Sequence, residues 1–200
     1  VNKIVVIIGH PFANSFSHAL AERYRAEAEK ADSQVRVIDL AQTTFTERPG
    51  DLNDVRVRGF DQLGNLEPAI SGMIRDMQWA DHFAFFYPVW WGTFPGVFKS
   101  FIDRVIVSGV AFRYGTTGTK WEKLWRGKTA RIVLTMDAPS WWYKLTYRAP
   151  SENALKRATL WYVGVRTIGV TRFEPVRFST QEIREKWLST AARLGQLDGA

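Results

Sequence analysis

"KIVVIIGHPFANSFSHAL", residues 3–20, decides the fold. Its first six residues form a continuous apolar, largely β-branched run without polar alternation, the pattern of a strand covered on both faces in a parallel sheet. The run ends at Gly9. Beyond the loop, Leu20, Tyr24, Ala28 and Ala31 recur at helical spacing among Glu, Arg and Lys, which predicts an amphipathic helix over 17–31 with Ser15 or Ser17 as its cap. Gln34–Leu40 (QVRVIDL) then reads as a second strand about 30 residues after the first, the length of one βαβ unit.

The same alternation continues outward. Residues 41–64 carry turn residues without a sustained period and read as a long connection. Ile70, Met73, Ile74 and Met77 mark a helix, and His82–Tyr87 a third strand. A helix with Val97, Phe98, Phe101, Ile102 and Val105 on one face follows, then a loop-like segment, "FRYGTTGTKWEKLWRGK". Thr129–Met136, Glu152–Tyr162 and Ile168–Val176 read as strand, helix and strand. The last helix starts near Thr180, with Ser179 and Glu182 at capping-box spacing and Ile183, Trp187, Leu188, Ala191 and Leu194 inward. The expectation is a single domain, residues 1–200, of class α/β: a three-layer sandwich on a five-stranded parallel sheet. Right-handed crossovers bring the loops after the strands to one edge, where ligands of such sheets sit.

Composition limits what those loops can do. With 46% hydrophobic and 24% charged residues the chain is of ordinary globular composition, but nine Trp is rich. No cysteine is present, so thiolate nucleophiles, thiolate metal sites and disulfides are excluded. The three histidines, His10, His18 and His82, are too dispersed for metal-ligand spacing, and no metal is expected. The net charge of +7 is scattered instead of forming a block, so no nucleic-acid partner is expected. No apolar run approaches the length of a membrane span, and with a strand-like start and no leader pattern the reading is a cytoplasmic protein.

Three loops stand out: "GHPFANSFSH", "PVWWGTFPG" and "TMDAPSWWYK". The first has neither G-x-G-x-x-G nor a P-loop, yet it sets His10, Asn14, Ser15 and Ser17 beside backbone amides at a helix start, a seat for one phosphate. An ordinary helix cap is the plain alternative. The other two bring Trp90, Trp91, Phe94, Trp141, Trp142 and Tyr143 to the same edge, where core or oligomer interface are their plain alternatives. One phosphate seat beside aromatic walls suits a ligand with one phosphate and a large planar ring, for which flavin mononucleotide is the candidate. A serine nucleophile lacks its G-x-S-x-G elbow, and a phospho-receiver would need carboxylates where Gly9-His10 and Tyr87-Pro88 stand.

These residues resemble the flavodoxin-like NAD(P)H:quinone oxidoreductases, the DT-diaphorase family, whose bacterial members include quinone reductases and ancillary subunits of potassium-efflux systems. The resemblance covers nearly the whole chain through "GHPFANSFSHAL", "FYPVWWGTFPGVFKSFIDRV", "LWRGKTARIVLT" and "NALKRATLWYVGV". It implies the strand order 2-1-3-4-5, FMN with FAD as the alternative, NAD(P)H as hydride donor, a quinone-like acceptor served by single-site exchange, and a homodimer. Flavin, nitro or azo reduction and regulatory docking to a membrane transporter are the alternatives it leaves open. Carried over by position, His10, Ser15, Phe16 and Ser17 would line the flavin phosphate and ribityl chain, and Pro88, Val89, Trp90 and Trp91 would support the ring. The family's T-T-G-G loop here reads Thr135, Met136, Asp137 and Ala138, a departure that puts side chains where backbone approaches the ring. Tyr143 matches the tyrosine that helps stabilise reduced flavin, but the accompanying histidine is Ala149 here. Arg113, Lys120 and Lys144 are candidate ligands of a 2′-phosphate.

Overall fold

The computed structural model describes residues 2–115 and 119–200. In chain order the elements are β1 (Lys3–Ile8), α1 (Phe16–Lys30), β2 (Gln34–Asp39), α2 (Pro68–Trp79), β3 (His82–Pro88), α3 (Gly96–Val105), β4 (Phe112–Tyr114), β5 (Trp121–Lys123) and β6 (Thr129–Thr135). They continue with α4 (Ser140–Leu145), α5 (Pro150–Asn153), a π-helical stretch (Ala154–Leu160), α6 (Trp161–Val163), β7 (Arg166–Phe173) and α7 (Gln181–Gly199). The main sheet is parallel throughout and ordered β2-β1-β3-β6-β7, the order 2-1-3-4-5 implied for its five strands.

The apolar runs of β1 and β3 are buried along both faces, and their side chains divide between two cores because strand residues alternate. Val5, Ile7, Phe83, Phe85 and Tyr87 face α2 and α3, joined by Ile132 and Leu134 of β6. Ile4, Val6, Ile8, Ala84 and Phe86 face the opposite layer, with Leu20 and Tyr24 of α1 and Ala191 of α7. Helices α1 and α7 approach closely because α7 offers glycine at the contact: a Cβ built on Gly195 would stand 2.0 Å from the Tyr24 carbonyl oxygen.

Below that contact lies a buried polar anchor. Asp198 near the end of α7 accepts from Arg131 Nε (2.5 Å) and Nη2 (2.7 Å) and from the Tyr24 hydroxyl (2.8 Å), and His82 Nε2 lies 3.3 Å away. Burial pushes the Asp198 carboxyl up, but the donors Arg131, His82 and Tyr24 outweigh it and hold the group well below the usual carboxylate range.

Several local expectations shift. The segment expected as loop pairs as an antiparallel hairpin, Phe112 with Lys123 and Tyr114 with Trp121. Thr116, Thr117 and Gly118 of that segment lie outside the described residues. Trp121 stacks on Tyr162 at 4.6 Å and donates its Nε1–H to the Tyr162 carbonyl, so tertiary packing holds strands too short to show a period. The connection 41–64 contains two 3₁₀ turns, Leu52–Val55 and Phe60–Asn65. The last strand begins two residues earlier than expected and stops at Phe173, before the cis Glu174–Pro175 bond. At the start of α7 the cap is Thr180, whose oxygen accepts from the Ile183 amide; Ser179 instead donates to the Val176 carbonyl, and Ile183 is exposed.

Two outcomes are expected. Gly195→Ala lowers stability by about 1–3 kcal/mol through overpacking, measured by urea unfolding. Because the folded carboxyl of Asp198 is depressed, its stabilising contribution is complete above the unfolded aspartate value of about 4 and is lost as pH falls through the lower folded value. Asp198→Asn therefore flattens the acid limb of a stability-versus-pH curve; an unchanged acid limb would contradict the anchor.

Candidate active site

The order β2-β1-β3 places the reversal of chain direction across the sheet between β1 and β3. The Gly9 amide donates to the Phe86 carbonyl (2.8 Å) and the Val89 amide to the Thr135 carbonyl (2.8 Å), so the first residues of all three loops are fixed to neighbouring strand ends. Ser17 and Thr135 hydroxyls, 3.4 Å apart, join the first loop to the third.

Two adjoining hollows open there. The smaller, about 230 Å³, is lined by His10, Phe16, Ser17, Pro88, Val89, Trp90, Thr135, Met136, Asp137 and Val176. The larger, about 590 Å³, is walled by Val89, Trp91, Gly92, Met136, Asp137, Ala138, Tyr143, Tyr147 and Pro150. Val89, Met136 and Asp137 border both, which makes the two one continuous cleft.

The smaller hollow has a polar floor. Ser17 is buried at the start of α1, where the first amides have no acceptor within the helix. His10 Nδ1 lies 3.0 Å from both the amide nitrogen and the carbonyl oxygen of Phe12. Burial lowers the His10 imidazole pKa; the Phe12 backbone opposes the shift and the neighbouring His18 adds to it. The Trp90 ring meets His10 edge-on at 5.6 Å and Phe12 at 6.1 Å, closing one side.

The larger hollow is aromatic. Trp90 and Thr93 exchange backbone hydrogen bonds (2.8 and 3.0 Å) around Trp91 (φ 51°) and Gly92 (φ 78°), so both central turn residues are left-handed. Glycine accepts that conformation freely, while tryptophan holds it under strain of about 1–3 kcal/mol. The Trp91 ring is fully exposed at 103% and stands at the lip of the cleft.

Opposite it, Tyr143 is buried at 0% exposure, and its hydroxyl hydrogen-bonds Ser151 Oγ (2.6 Å) and accepts the Ser151 amide (3.2 Å). Burial raises the phenol above its ordinary range. The partner thus lies two residues beyond Ala149, which takes a left-handed conformation (φ 49°) ahead of α5. The substituted third loop is also occupied: Met136 exchanges backbone bonds with Phe173 and Val176, and Asp137 Oδ1 accepts the Arg177 amide at 2.7 Å.

Other expected residues stand apart. Phe94 is buried in the core against Tyr87 and Phe98, Trp141 and Trp142 face solvent, and Ser15 is bonded to His18. Arg113 pairs with Glu122 on the hairpin, and Lys144 lies on α4 beside Tyr143. Sequence reading missed Tyr147, Pro150 and Val176. The "TYRAP" segment after α4 offered a turn signal in its proline, but nothing local tied Val176 to the cleft.

Trp91→Asn, a residue that tolerates the left-handed region, is expected to stabilise the fold by about 0.5–1 kcal/mol while removing the lip of the cleft. Tyr143→Phe is expected to cost about 1–2 kcal/mol, because it strips the buried Ser151 of its partner. Both are read by chemical denaturation; a destabilised Trp91→Asn would show that the ring packs where the turn does not require it.

Comparison with known proteins gives this cleft its setting. A ribosyldihydronicotinamide dehydrogenase-like protein of Penicillium crustosum is 28% identical over 67% of this chain, and the match spans 57% of that relative's length. An FMN-dependent NADH:quinone oxidoreductase of Staphylococcus aureus is 26% identical over 98% of this chain and 99% of its own. The structure of an NAD(P)H:quinone oxidoreductase from Methanothermobacter marburgensis superposes with a TM-score of 0.79 at 23% identity, covering 98% of each chain, and shows the shared fold. Residues 2–196 match the family described as flavodoxin-like fold, and the chain belongs to that family.

Proposed function

We propose that the protein is a flavin-dependent NAD(P)H oxidoreductase that holds FMN in the two-part cleft and reduces a quinone-like acceptor. The observation that carries this reading is the adjoining of a small polar seat at the start of α1 with a larger aromatic hollow at the sheet switch. A phosphate fits the first and a planar ring the second, and the donor set suits one phosphate better than two. The Staphylococcus aureus relative, named for FMN, NADH and quinone, supports the same assignment.

His10, Phe16 and Ser17 are assigned to the phosphate and ribityl portion; Pro88, Val89, Trp90, Thr135 and Met136 line the passage between the hollows. Trp91, Ala138 and Tyr143 wall the ring portion. Bound flavin supplies the capacity to accept a hydride from a nicotinamide and deliver it to an acceptor. Trp91 and Tyr147 edge the mouth of the ring portion, Val89 offers a flat molecule an apolar contact, and the Tyr143 hydroxyl is engaged by the hydroxyl and amide of Ser151. Asp137, engaged by the Arg177 amide, keeps its carboxylate turned toward that backbone, which limits repulsion of negative charge accumulating in the cleft.

A second copy of the chain is the partner we assign to the rim. Trp91, Trp141, Trp142, Leu145 and Tyr147 are all exposed beside the larger hollow or on α4, and exposed apolar side chains gathered in this way mark interaction surfaces. No helix among the described residues is long and apolar enough to cross a membrane. A cytoplasmic setting, with its supply of NAD(P)H, completes the proposal.

Purified protein is expected to carry a flavin absorbing in the visible and releasing as FMN, and to oxidise NADH or NADPH with a quinone in parallel-line, double-displacement kinetics. Bound FMN without turnover of any quinone, nitro or azo acceptor would favour the regulatory alternative. Absence of flavin binding would remove the proposal. Trp142→Glu is expected to shift the mass in analytical ultracentrifugation from dimer to monomer.

A further inference from the structure

In a chain of net charge +7, the one carboxylate among the described residues that line the cleft stands there without a counter-charge. No lysine or arginine lines either hollow. His10 is biased toward the neutral form by burial, and burial likewise favours the protonated phenol of Tyr143. Asp137 borders both hollows, and its Oδ1 accepts the Arg177 amide at 2.7 Å. That bond draws the carboxylate toward the backbone, but an amide is neutral and leaves the charge in place. Asp137 forms no ion pair among the described residues: the Arg177 guanidinium lies over the Phe178 ring at 5.8 Å, and Arg184 donates to Ser179 Oγ (2.8 Å) and to the Val176 carbonyl (3.3 Å).

The position of Asp137 selects the part of a flavin that it meets. In FMN the ribityl chain joins the phosphate to the ring. A molecule with its phosphate in the smaller hollow and its ring in the larger threads that chain through the junction, which Val89, Met136 and Asp137 share. The chain leaves the ring at N10, and N1 is one carbon away from that atom. A group at the junction therefore meets the N10–N1 edge of the ring before the N5 edge. Oxidised flavin is neutral there, whereas a hydride taken up at N5 leaves the ring with one extra negative charge, centred on N1. One fixed charge thus acts differently on the two redox states, which is the condition for tuning a potential.

Resting on the flavin reading above, we propose that Asp137 lowers the reduction potential of the bound flavin: its unpaired carboxylate opposes the charge that reduction brings to the N1 edge, so oxidised FMN is held more tightly than reduced FMN. The hydride carries two electrons and one proton from the nicotinamide, which departs oxidised, and the unit of negative charge it leaves on the ring is what Asp137 resists. Driving force withdrawn from this first transfer returns in the second, when the hydride passes to the acceptor and the ring becomes neutral again. Asp137 makes the reduced flavin harder to form and a stronger donor once formed. The phosphate is charged alike in both states, so its own repulsion by Asp137 cancels from the potential. Water reaches the exposed carboxylate and screens it, which keeps the effect modest.

The midpoint potential of FMN bound to the purified holoprotein, followed by visible absorbance during reductive titration at neutral pH against a reference dye, tests this. In Asp137→Asn, whose side-chain carbonyl can still accept the Arg177 amide, the affinity ratio of oxidised to reduced FMN is expected to fall about three- to tenfold. For a two-electron couple that raises the potential by about 15–30 mV. Asp137→Gly, which removes the side chain altogether, is expected to shift it in the same direction. Asp103→Asn removes an equal charge on α3, where Asp103 pairs with Lys99 away from the cleft lining, and is expected to leave the potential unchanged. An unchanged or lower potential in Asp137→Asn, or an equal rise in Asp103→Asn, would overturn the inference while FMN binding stands. If the wild-type protein holds no FMN, the flavin reading falls and this inference falls with it.

Discussion

The constraint on which this structure depends is the burial of β1 and β3 on both faces. A strand with apolar side chains on alternate sides has no solvent-compatible face, so it is stable only between two layers of helices. In this chain α1 and α7 supply one layer and α2 and α3 contribute to the other. Parallel strands flanked in this way require long crossovers, and their common hand gathers the loops following the strands at one edge. The cleft is thus a product of core burial before it is a product of binding chemistry.

That edge couples stability to site geometry. The backbone bonds Gly9 to Phe86 and Val89 to Thr135 prolong the sheet's own ladder into the loops, so the loops begin in fixed positions. Beyond them the chain departs from relaxed geometry: Asn14, Trp91, Arg148 and Ala149 all have positive φ without being glycine, and all lie in or beside the segments that form the cleft. Strain of this kind persists where surrounding structure over-determines it, and it concentrates at functional sites. The π-helical stretch directly after α5, on the segment that carries Ser151 to Tyr143, is a further irregularity of the same sort.

Much of the fold was legible because the long elements are strongly patterned. The KIVVII and HFAFFYP runs have no reading other than buried strands once helices follow at βαβ spacing. The hairpin at Phe112 and Trp121 was not legible: three-residue strands show no period, and theirs are held by rings on a helix some forty residues away. The site divides in the same way. His10, Ser17 and the tryptophan turn follow directly on predicted strands, so topology alone places them together. Phe94 carried the same aromatic signal as its neighbours yet belongs to the core, because the direction a side chain takes after a tight turn depends on the turn's dihedral angles.

By itself the sequence determined the layers, the strand order through its resemblance to a known family, and the edge at which a ligand would sit, since hydrophobic period and crossover length are local properties of the chain. Only the tertiary structure decided which polar atoms meet. Ser151 reaching Tyr143, Asp198 joining Arg131 and Tyr24, and Asp39 orienting His18 toward Ser15 are contacts at short range in space between groups on separate elements or on opposite sides of a turn. Hydrogen bonds act over about 3 Å and leave no periodic trace in a sequence, whereas burial acts over whole elements and does.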